Sequence, residues 1–225
     1  MIPPEHNARF AAGMEDILTV YARPPDPARP LICFDEAGKE LRRQTRPPRP
    51  LAPGQPRRED TEYERHGSAN LFVLCAPHLG WRHITITEQR TALDFARMVR
   101  ALVDVHFPAA ERIVLILDNL NTHTPAALYQ AFPPDEAWRL LQKLEGHFTP
   151  IHGSWLNIAE LEWSALQRQC LNRRIPDRPT LETEVAAWVA ARNQARTPVA
   201  WRFSVADARE SLAHVYPIPQ QGIIA

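Results

Sequence analysis

The sequence predicts a mixed α/β fold, in which a sheet carries helices on both faces. Residues 112–117, "RIVLIL", are uniformly apolar, which is typical of a strand in the centre of a sheet. Residues 69–77 and 81–88 are strand-like and separated by "HLG", a spacing that indicates an antiparallel hairpin. Stretches with helical spacing of apolar residues, 90–106 and 154–171, alternate with these strands and supply the helical layers.

The N-terminal third contains a helix, a strand and a basic segment. Residues 1–23 read as an amphipathic helix, because apolar side chains recur there at helical spacing: Phe10, Met14, Ile17, Leu18 and Tyr21. "LICFDE", residues 31–36, is a short apolar run that ends in two carboxylates and predicts a buried strand. Residues 42–60 are rich in proline and arginine, so we expect an extended, exposed arm.

The remaining elements follow in order. Thr124-Pro125 is a helix start, with proline at the first helical position, and predicts one or two short helices up to about residue 144. Residues 147–151, "HFTPI", predict a small strand, and 154–171 a long helix. A last helix is expected over 180–192, capped by Thr180.

The 225 residues, 44% hydrophobic and 23% charged, indicate one large globular domain with appendages. We expect a lead-in at 1–30, a main α/β domain at 31–200 that contains the arm at 42–60, and a tail at 201–225. The three cysteines are widely spaced and odd in number, which favours a reducing compartment. No segment has a signal-peptide core or membrane-spanning length, so the predicted location is cytoplasmic and, given a DNA partner, nucleoid-associated.

Charge is distributed unevenly along a chain whose net charge is zero. The arm concentrates arginines in a short stretch, and a local positive field of this kind attracts phosphates. The predicted DNA-backbone contacts are Arg42, Arg43, Arg46, Arg49, Arg57, Arg58, Arg168, Arg173 and Arg174. A solvated basic loop is the alternative interpretation.

Two aspartates follow apolar strands. Asp118 comes directly after "RIVLIL", and because Thr124 already caps the next helix, Asp118 has no evident structural role. Asp35 stands at the end of the strand "LICFDE". If the two strands are neighbours, both carboxylates meet at one sheet edge, where α/β proteins place their sites. Oxygen ligands of this kind favour Mg²⁺ or Mn²⁺.

A third carboxylate is available on the helix that begins near residue 154. Glu160 and Glu162 are two positions apart, about 200° around a helix, so at most one can face the aspartates. Asn157 shares a face with Glu160, which favours Glu160. The pair Asn157 and Glu160 also fits a capping box, an N-cap residue with glutamate three positions on, and this alternative stays open.

"LICFDE", "IVLILDNLNTHTP" and "TPIHGSWLNIAELEWSALQRQCLNRRIPD", in this order, resemble the catalytic region of bacterial insertion-sequence transposases. The resemblance is to the mariner superfamily, in its IS-six-thirty branch, and covers most of the chain. It implies an RNase-H-like fold and a DDE catalytic triad formed by Asp35, Asp118 and Glu160, with Glu162 the weaker candidate. Side chains that would orient the substrate are Asn119, His123, His152 and Asn157.

The implied reaction is DNA strand cleavage followed by strand transfer. Two Mg²⁺ or Mn²⁺ ions would be held by the triad, with Asp35 bridging them and Asp118 and Glu160 each holding one. The implied partners are transposon-end and target DNA and a second copy of the chain in a homodimer. Relatives usually carry an N-terminal helix-turn-helix that reads the transposon ends, and "MIPPEHNARF" does not continue one. A separately encoded N-terminal part is therefore a further expected partner.

Two alternatives belong to other functional classes. The chain could be a truncated, catalytically dead remnant that only binds DNA or self-assembles. It could instead be a zinc hydrolase that uses Asp118, His123 and His152, although the zinc motif H-E-x-x-H and a Cys/His cluster are both missing from the sequence. Metal preference separates the three interpretations. Mg²⁺-dependent nicking supports the transposase and tight zinc binding supports the hydrolase. If neither is observed, the remnant is supported.

Overall fold

The computed structural model describes residues 2, 6–46, 62–118 and 123–217. The strands are β1 Leu31–Gln44, β2 Tyr63–Ala76, β3 Trp81–Thr87, β4 Ile113–Leu117 and β5 Leu144–Phe148. The helices are α1 Ala8–Tyr21, α2 Ala92–Ala101, α3 Pro125–Ala131, α4 Pro134–Gln142, α5 Ile158–Leu166, α6 Arg178–Ala195 and α7 Val205–Ser211. Single π-helical turns extend α2 over Leu102–His106 and α5 over Gln167–Leu171.

The strands form one five-stranded mixed sheet in the order β3-β2-β1-β4-β5. The strands β1, β2 and β3 are antiparallel neighbours, which confirms the predicted hairpin at 69–88, and β4 and β5 run parallel to β1. All five residues of β4 are buried, as predicted for a strand inside the sheet.

Alternation along the central strands separates two cores. Cys33 of β1 and Ile116 of β4 face a core built with α1, α5, α6 and α7. Ile32 and Phe34 face a second core, built with α2, α3 and α4. Successive side chains of a strand point to opposite faces, so both faces of a sheet with this composition have to be covered. The prediction of helices on both faces is confirmed.

Both ends of the described chain pack into the first of these cores. In α1, Met14 and Ile17 are fully buried. Helix α1 starts at Asn7, whose side chain accepts a hydrogen bond from the Phe10 N–H at 2.9 Å. Helix α7 is tied to α1 by an Arg209–Glu15 ion pair at 2.7 Å. The segments predicted as lead-in and tail therefore cover the sheet, and the domain boundaries stay predictions.

Several predicted boundaries are wrong. The first strand runs to Gln44 rather than residue 36, because β2 pairs with it along almost its whole length. Asp35 therefore lies within a strand rather than at its end. The fifth strand is Leu144–Phe148 rather than 147–151, and α6 is capped by Asp177, whose side chain accepts from the Thr180 N–H at 2.9 Å. Propensity places such ends poorly, since tertiary pairing decides them.

The predicted basic arm is part strand. Arg42 and Arg43 belong to β1, and the guanidinium of Arg42 lies 4.5 Å from the ring centroid of Tyr63 on β2. Residues 47–61, which include the predicted contacts Arg49, Arg57 and Arg58, lie outside the described residues. A search of the described helices finds none with the length and apolar character needed to cross a bilayer.

Candidate active site

The two aspartates lie on adjacent strands and on the same face of the sheet. The parallel ladder of β1 and β4 pairs Leu31 with Val114 and Cys33 with Ile116. Two residues further along each strand, this register sets Asp35 opposite Asp118. Side chains two residues apart share a face, so both aspartates belong to the side of the sheet that carries α5. The predicted convergence of these two carboxylates is therefore built into the strand register.

Glu160 is brought to the same place by the N-terminus of α5. The helix is capped by Asn157, which is buried and whose side-chain oxygen accepts from the Ala159 N–H at 3.1 Å. The Asn157 amide donates to the backbone oxygen of Phe34 at 2.7 Å. Because Phe34 directly precedes Asp35, this bond fixes the first turn of α5, and Glu160 within it, beside the aspartate.

Asn157 was predicted to orient the substrate. In the structure it is buried and anchors the start of α5 instead. The Asn157 backbone N–H donates to the Ser154 carbonyl oxygen at 2.7 Å. In a capping box this N–H would donate to the Glu160 carboxylate, so the reciprocal bond of the box is replaced. The hydroxyl of Tyr21 on α1 adds a second anchor: it donates to the Leu156 carbonyl at 2.6 Å and accepts from the Ile158 N–H at 3.3 Å.

Glu162 is directed away from the aspartates and into a buried ion cluster. It is 3% exposed and pairs at 2.8 Å with Arg82 of β3, whose side chain is 2% exposed. Arg192 of α6 contacts the same carboxylate at 3.2 Å. A buried carboxylate with two guanidinium partners is held in place, because breaking such a pair leaves an uncompensated charge. The position of Glu162 favours Glu160 as the third carboxylate of the site.

The electrostatics of Asp35 show that the three carboxylates share one negative potential. Burial first, and then the charges of Glu160, Asp118 and Glu36, raise the pKa of Asp35 to about 7 against a hydrogen bond from the Glu36 N–H that lowers it. That hydrogen bond to Oδ1 is 2.8 Å long. A carboxyl group with this pKa in the interior of a sheet is a functional-site candidate on physical grounds.

His123 lies behind the site, between two carboxylates. Its Nδ1 is 2.6 Å from Oδ1 of Asp118, and its Nε2 is 3.0 Å from Oε1 of Glu36. The contact with Asp118 is an ion pair by distance, but its angle does not make a well-directed hydrogen bond. Burial lowers the pKa of His123, yet the two carboxylates outweigh burial and raise the pKa to about 9, so the ring is cationic at neutral pH.

The carboxylates do not form a finished metal centre. Within the described ranges, no three His, Cys, Asp or Glu side chains lie close enough together to hold a metal ion. This arrangement of side chains does not bring Asp35, Asp118 and Glu160 within metal-bridging reach, and their role as ligands stays a prediction. Like charges repel, and Asp118 pairs with the His123 cation. The donor chemistry still fits a hard divalent cation, since all three donors are carboxylate oxygens.

The remaining predicted site residues are His152, Asn119 and the arginines. His152 is exposed, in the loop before α5, with a left-handed backbone at φ 68°. Asn119 is outside the described residues. Arg168 and Arg173 are exposed near the C-terminal end of α5, where Arg173 pairs with Glu184.

The zinc alternative loses its support in the described structure. Both ring nitrogens of His123 already face carboxylates, and its side chain is fully buried. His123 is thus also closed to the substrate-orienting role predicted for it. Glu36 was not among the site residues predicted from the sequence. It points away from Asp35, as strand alternation requires, and the spacing of "DE" and "DNLNTH" gives no sign that Glu36 and His123 meet.

The fold is RNase-H-like. Its mixed sheet has the strand order β3-β2-β1-β4-β5, acidic side chains lie on or directly after the parallel strands β1 and β4, and a third lies on the flanking helix α5. The solved structures similar to the chain have this fold. They include the "Mos1 mariner paired end complex with Mn" (TM-score 0.58, 19% identity, 88% of this chain and 60% of that chain). They also include the "Mos1 Strand Transfer Complex" (TM-score 0.57, 16% identity, 88% and 61%). A third is the "mariner Mos1 paired end complex with Mg" (TM-score 0.54, 18% identity, 97% and 66%).

Residues 30–182 match the family model described as "DDE superfamily endonuclease". This range is about two thirds of the chain, and the chain belongs to that family. The chain spans about 60% of the length of the first Mos1 chain that it matches. None of the curated proteins compared with it matches.

Proposed function

We propose that this chain is the catalytic domain of a DNA transposase, which cleaves phosphodiester bonds at transposon ends and transfers the strands to a target. One observation supports the proposal: Asp35 and Asp118 belong to the neighbouring strands β1 and β4, Glu160 lies in the capped first turn of α5, and the charges of Asp118 and Glu160 add to burial in raising the pKa of Asp35. Membership of the DDE endonuclease family supports the same reading.

In the proposed reaction Asp35, Asp118 and Glu160 would hold divalent cations, either two Mg²⁺ or two Mn²⁺ ions. The chemistry that such ions would supply is activation of a water or 3′-hydroxyl and stabilisation of the leaving oxygen. The chain itself supplies the rigid part of the site: Asp35 is fixed by its place in β1, and Glu160 by the anchored first turn of α5. Rigid placement is what a reaction between oxyanions requires, since it removes the entropy of bringing them together.

The proposed partners are transposon-end DNA, target DNA, a second copy of the chain and a helix-turn-helix part that reads the ends. The similar solved structures are of Mos1 in paired-end and strand-transfer complexes. Arg43 and Arg46 are exposed at the end of β1, and Arg168 and Arg173 beyond α5, so these side chains are proposed to contact phosphates without reading sequence. The assignment to the IS-six-thirty branch stays a prediction.

The test is the nicking of supercoiled DNA by the purified chain with Mg²⁺ or Mn²⁺. Wild type is expected to nick, while Asp118→Asn and Glu160→Gln, which preserve shape and remove charge, are expected to lose activity by at least about a hundredfold. All three should bind DNA with equal affinity, because the arginines are unchanged. A zinc hydrolase would instead be active with zinc alone.

Asp104→Asn is the matched control for Asp118→Asn. Asp104 lies on the π-helical turn after α2, where it pairs with Arg139 at 2.8 Å, and it is outside the site. This variant should nick like wild type. If Asp118→Asn is as active as Asp104→Asn, the nicking comes from another site or a contaminant and the assignment is wrong. If wild type stays inactive when the N-terminal DNA-reading part is supplied as a second chain, the catalytic proposal is wrong.

A further inference from the structure

The residues behind Asp118 form a buried chain of contacts that crosses the sheet. Glu36 and His123 both lie on the side of the second core, whereas Asp35 and Asp118 share the opposite face. The Glu36 side chain is 3% exposed and that of His123 is fully buried. Their contacts run from Oε1 of Glu36 to Nε2 of His123 at 3.0 Å, then from Nδ1 to Oδ1 of Asp118 at 2.6 Å.

The aromatic side chains around His123 hold the plane of its ring. Phe34 meets the ring edge-on, with centroids 5.0 Å apart and an interplanar angle of 76°. Phe95 of α2 lies 4.8 Å away at 35°. An imidazole packed between two phenyl rings and bonded at Nε2 cannot rotate freely, so the position of its Nδ1 is set by the core.

Asp118 is held less tightly than His123 by the residues that the structure describes. It is the first residue after β4, and its side chain is 30% exposed. A carboxylate at a strand end has several accessible rotamers, and each must be given up when it binds a ligand. The contact with His123 engages Oδ1 and leaves Oδ2 as the oxygen available to a ligand.

The burial of Glu36 requires an explanation apart from stability. An uncompensated carboxylate in the interior costs several kcal/mol, and a hydrophobic residue of similar volume is often at least as stabilising as a buried ion pair. Glu36 thus indicates a role that a core side chain would not fulfil. Metal-ligating groups in proteins are commonly oriented by such an outer layer of hydrogen-bonded residues.

We propose that Glu36 and His123 are positioning residues that fix the Asp118 carboxylate and thereby set the affinity of the site for a divalent cation. Glu36 holds the His123 ring and the ring pairs with Asp118, so Glu36 positions Asp118 through His123, while its charge also acts directly on Asp35. This inference rests on the proposed function, because it assumes that Asp118 is a metal ligand.

The experiment measures Mn²⁺ binding directly, by electron paramagnetic resonance of free Mn²⁺, in the full chain and without DNA. Glu36→Gln keeps the length of the side chain and an oxygen at its end but removes its charge. It is expected to raise the Kd for Mn²⁺ by about 10- to 100-fold, the range typical of lost outer-layer partners. The Mn²⁺ concentration that half-saturates nicking should rise in parallel, while the rate at saturating Mn²⁺ should recover to within about threefold of wild type.

Glu162→Gln is the matched control, since Glu162 is equally buried at 3% but pairs with Arg82 outside the site. It is expected to lower the Tm and to leave the Kd for Mn²⁺ within twofold of wild type. All binding is measured at least about 10 °C below the Tm of each variant. If Glu36→Gln does not fold, Glu36→Asp, which keeps the charge and shortens its reach, is measured in its place with the same expected direction.

A double-mutant cycle separates positioning from general stabilisation. In a His123→Gln background, Glu36→Gln should change the Kd by less than about threefold, because its route to Asp118 is gone and only its direct charge effect on Asp35 is left. Additive effects on the Kd, or a Kd in Glu36→Gln within twofold of wild type, would overturn the inference while leaving the metal site intact. Failure of the metal site itself shows differently: wild type would not bind Mn²⁺, or Asp118→Asn would bind it as well as wild type.

Discussion

Replacing Asp35 by asparagine should make the cation-free protein more stable at pH 8, although it removes a residue of the proposed active site. Asparagine has the same shape and can still accept the hydrogen bond from the Glu36 N–H. It lacks the charge that burial disfavours and that Asp118, Glu160 and Glu36 repel. The carboxylate therefore costs stability at pH 8, as expected for a charged group that is proposed to serve the reaction rather than the fold.

The size and the pH window of the effect follow from the pKa. Burial and neighbouring charges raise the pKa of Asp35 from 3.8 to about 7. A shift of about three units corresponds to at most about 4 kcal/mol, and we expect about half of it after side chains relax. Since the folded pKa is above the unfolded one, the wild type is relatively most stable below pH 3.8 and loses this advantage as the pH rises to about 7. The difference between variant and wild type should be small at pH 4 and reach its full value near pH 8.

Urea unfolding at a series of pH values, in a chelator, measures this difference. Asp104→Asn is the control of opposite sign, because a hydrogen bond from Arg139 lowers the pKa of Asp104, so its carboxylate stabilises the fold at neutral pH. Adding Mn²⁺ should reverse the order for Asp35: at a concentration of 100 times Kd, wild type gains about 2.7 kcal/mol, and the variant gains little.

A variant that is less stable than wild type at pH 8 in chelator would refute this reasoning. So would a stability difference that does not change between pH 4 and pH 8, because it would show that the titration of Asp35 is not its cause. If Mn²⁺ stabilised both proteins equally, Asp35 would not be a ligand.

Two further predictions concern charged groups outside the triad. Glu162→Gln should lower the free energy of unfolding, measured in urea, by about 3–5 kcal/mol, because it leaves Arg82 buried without its carboxylate. The double variant Glu162→Gln/Arg82→Met should recover part of this loss. No loss of stability in the single variant would contradict the buried ion cluster. Replacing Arg43 and Arg46 by glutamate should weaken duplex DNA binding and lower the slope of log K against log salt by up to about 2, as measured by fluorescence anisotropy. An unchanged slope would identify this segment as a solvated strand end.

Much of the sheet was predictable from the sequence. Five apolar residues in a row at 113–117 have no polar face to turn to solvent, so β4 had to lie inside a sheet covered on both sides. The polar residue that ends such a run stands at the sheet edge whatever the rest of the chain does. Asp118 was identified as a candidate site residue for this reason. The DDE family was identified from the motifs around Asp118.

The ends of the elements could not be predicted in the same way. The segment after Asp35 is polar and basic, and its strand continues to Gln44 only because β2 pairs with it. Local sequence does not contain that pairing, which joins residues up to 40 or so positions apart along the chain. The cap of α6 was missed for a different reason: Asp177 followed by Pro179 and Thr180 both offer local N-cap signals, and it is Asp177 whose side chain accepts the first backbone bond.

The sequence by itself determined which residue types were available: two aspartates after apolar runs, and two glutamates on opposite faces of one helix. Only the tertiary structure decided their roles. The β1–β4 register placed Asp35 opposite Asp118, and Arg82 on a distant strand took Glu162 into a buried ion pair and left Glu160 beside the aspartates. Spacing along the chain fixes the face that a side chain shares with its neighbours, whereas its charged partners come from strands and helices far away in sequence. For that reason the sequence pattern gave no sign that His123 and Glu36 meet, and their contact was visible only in the fold.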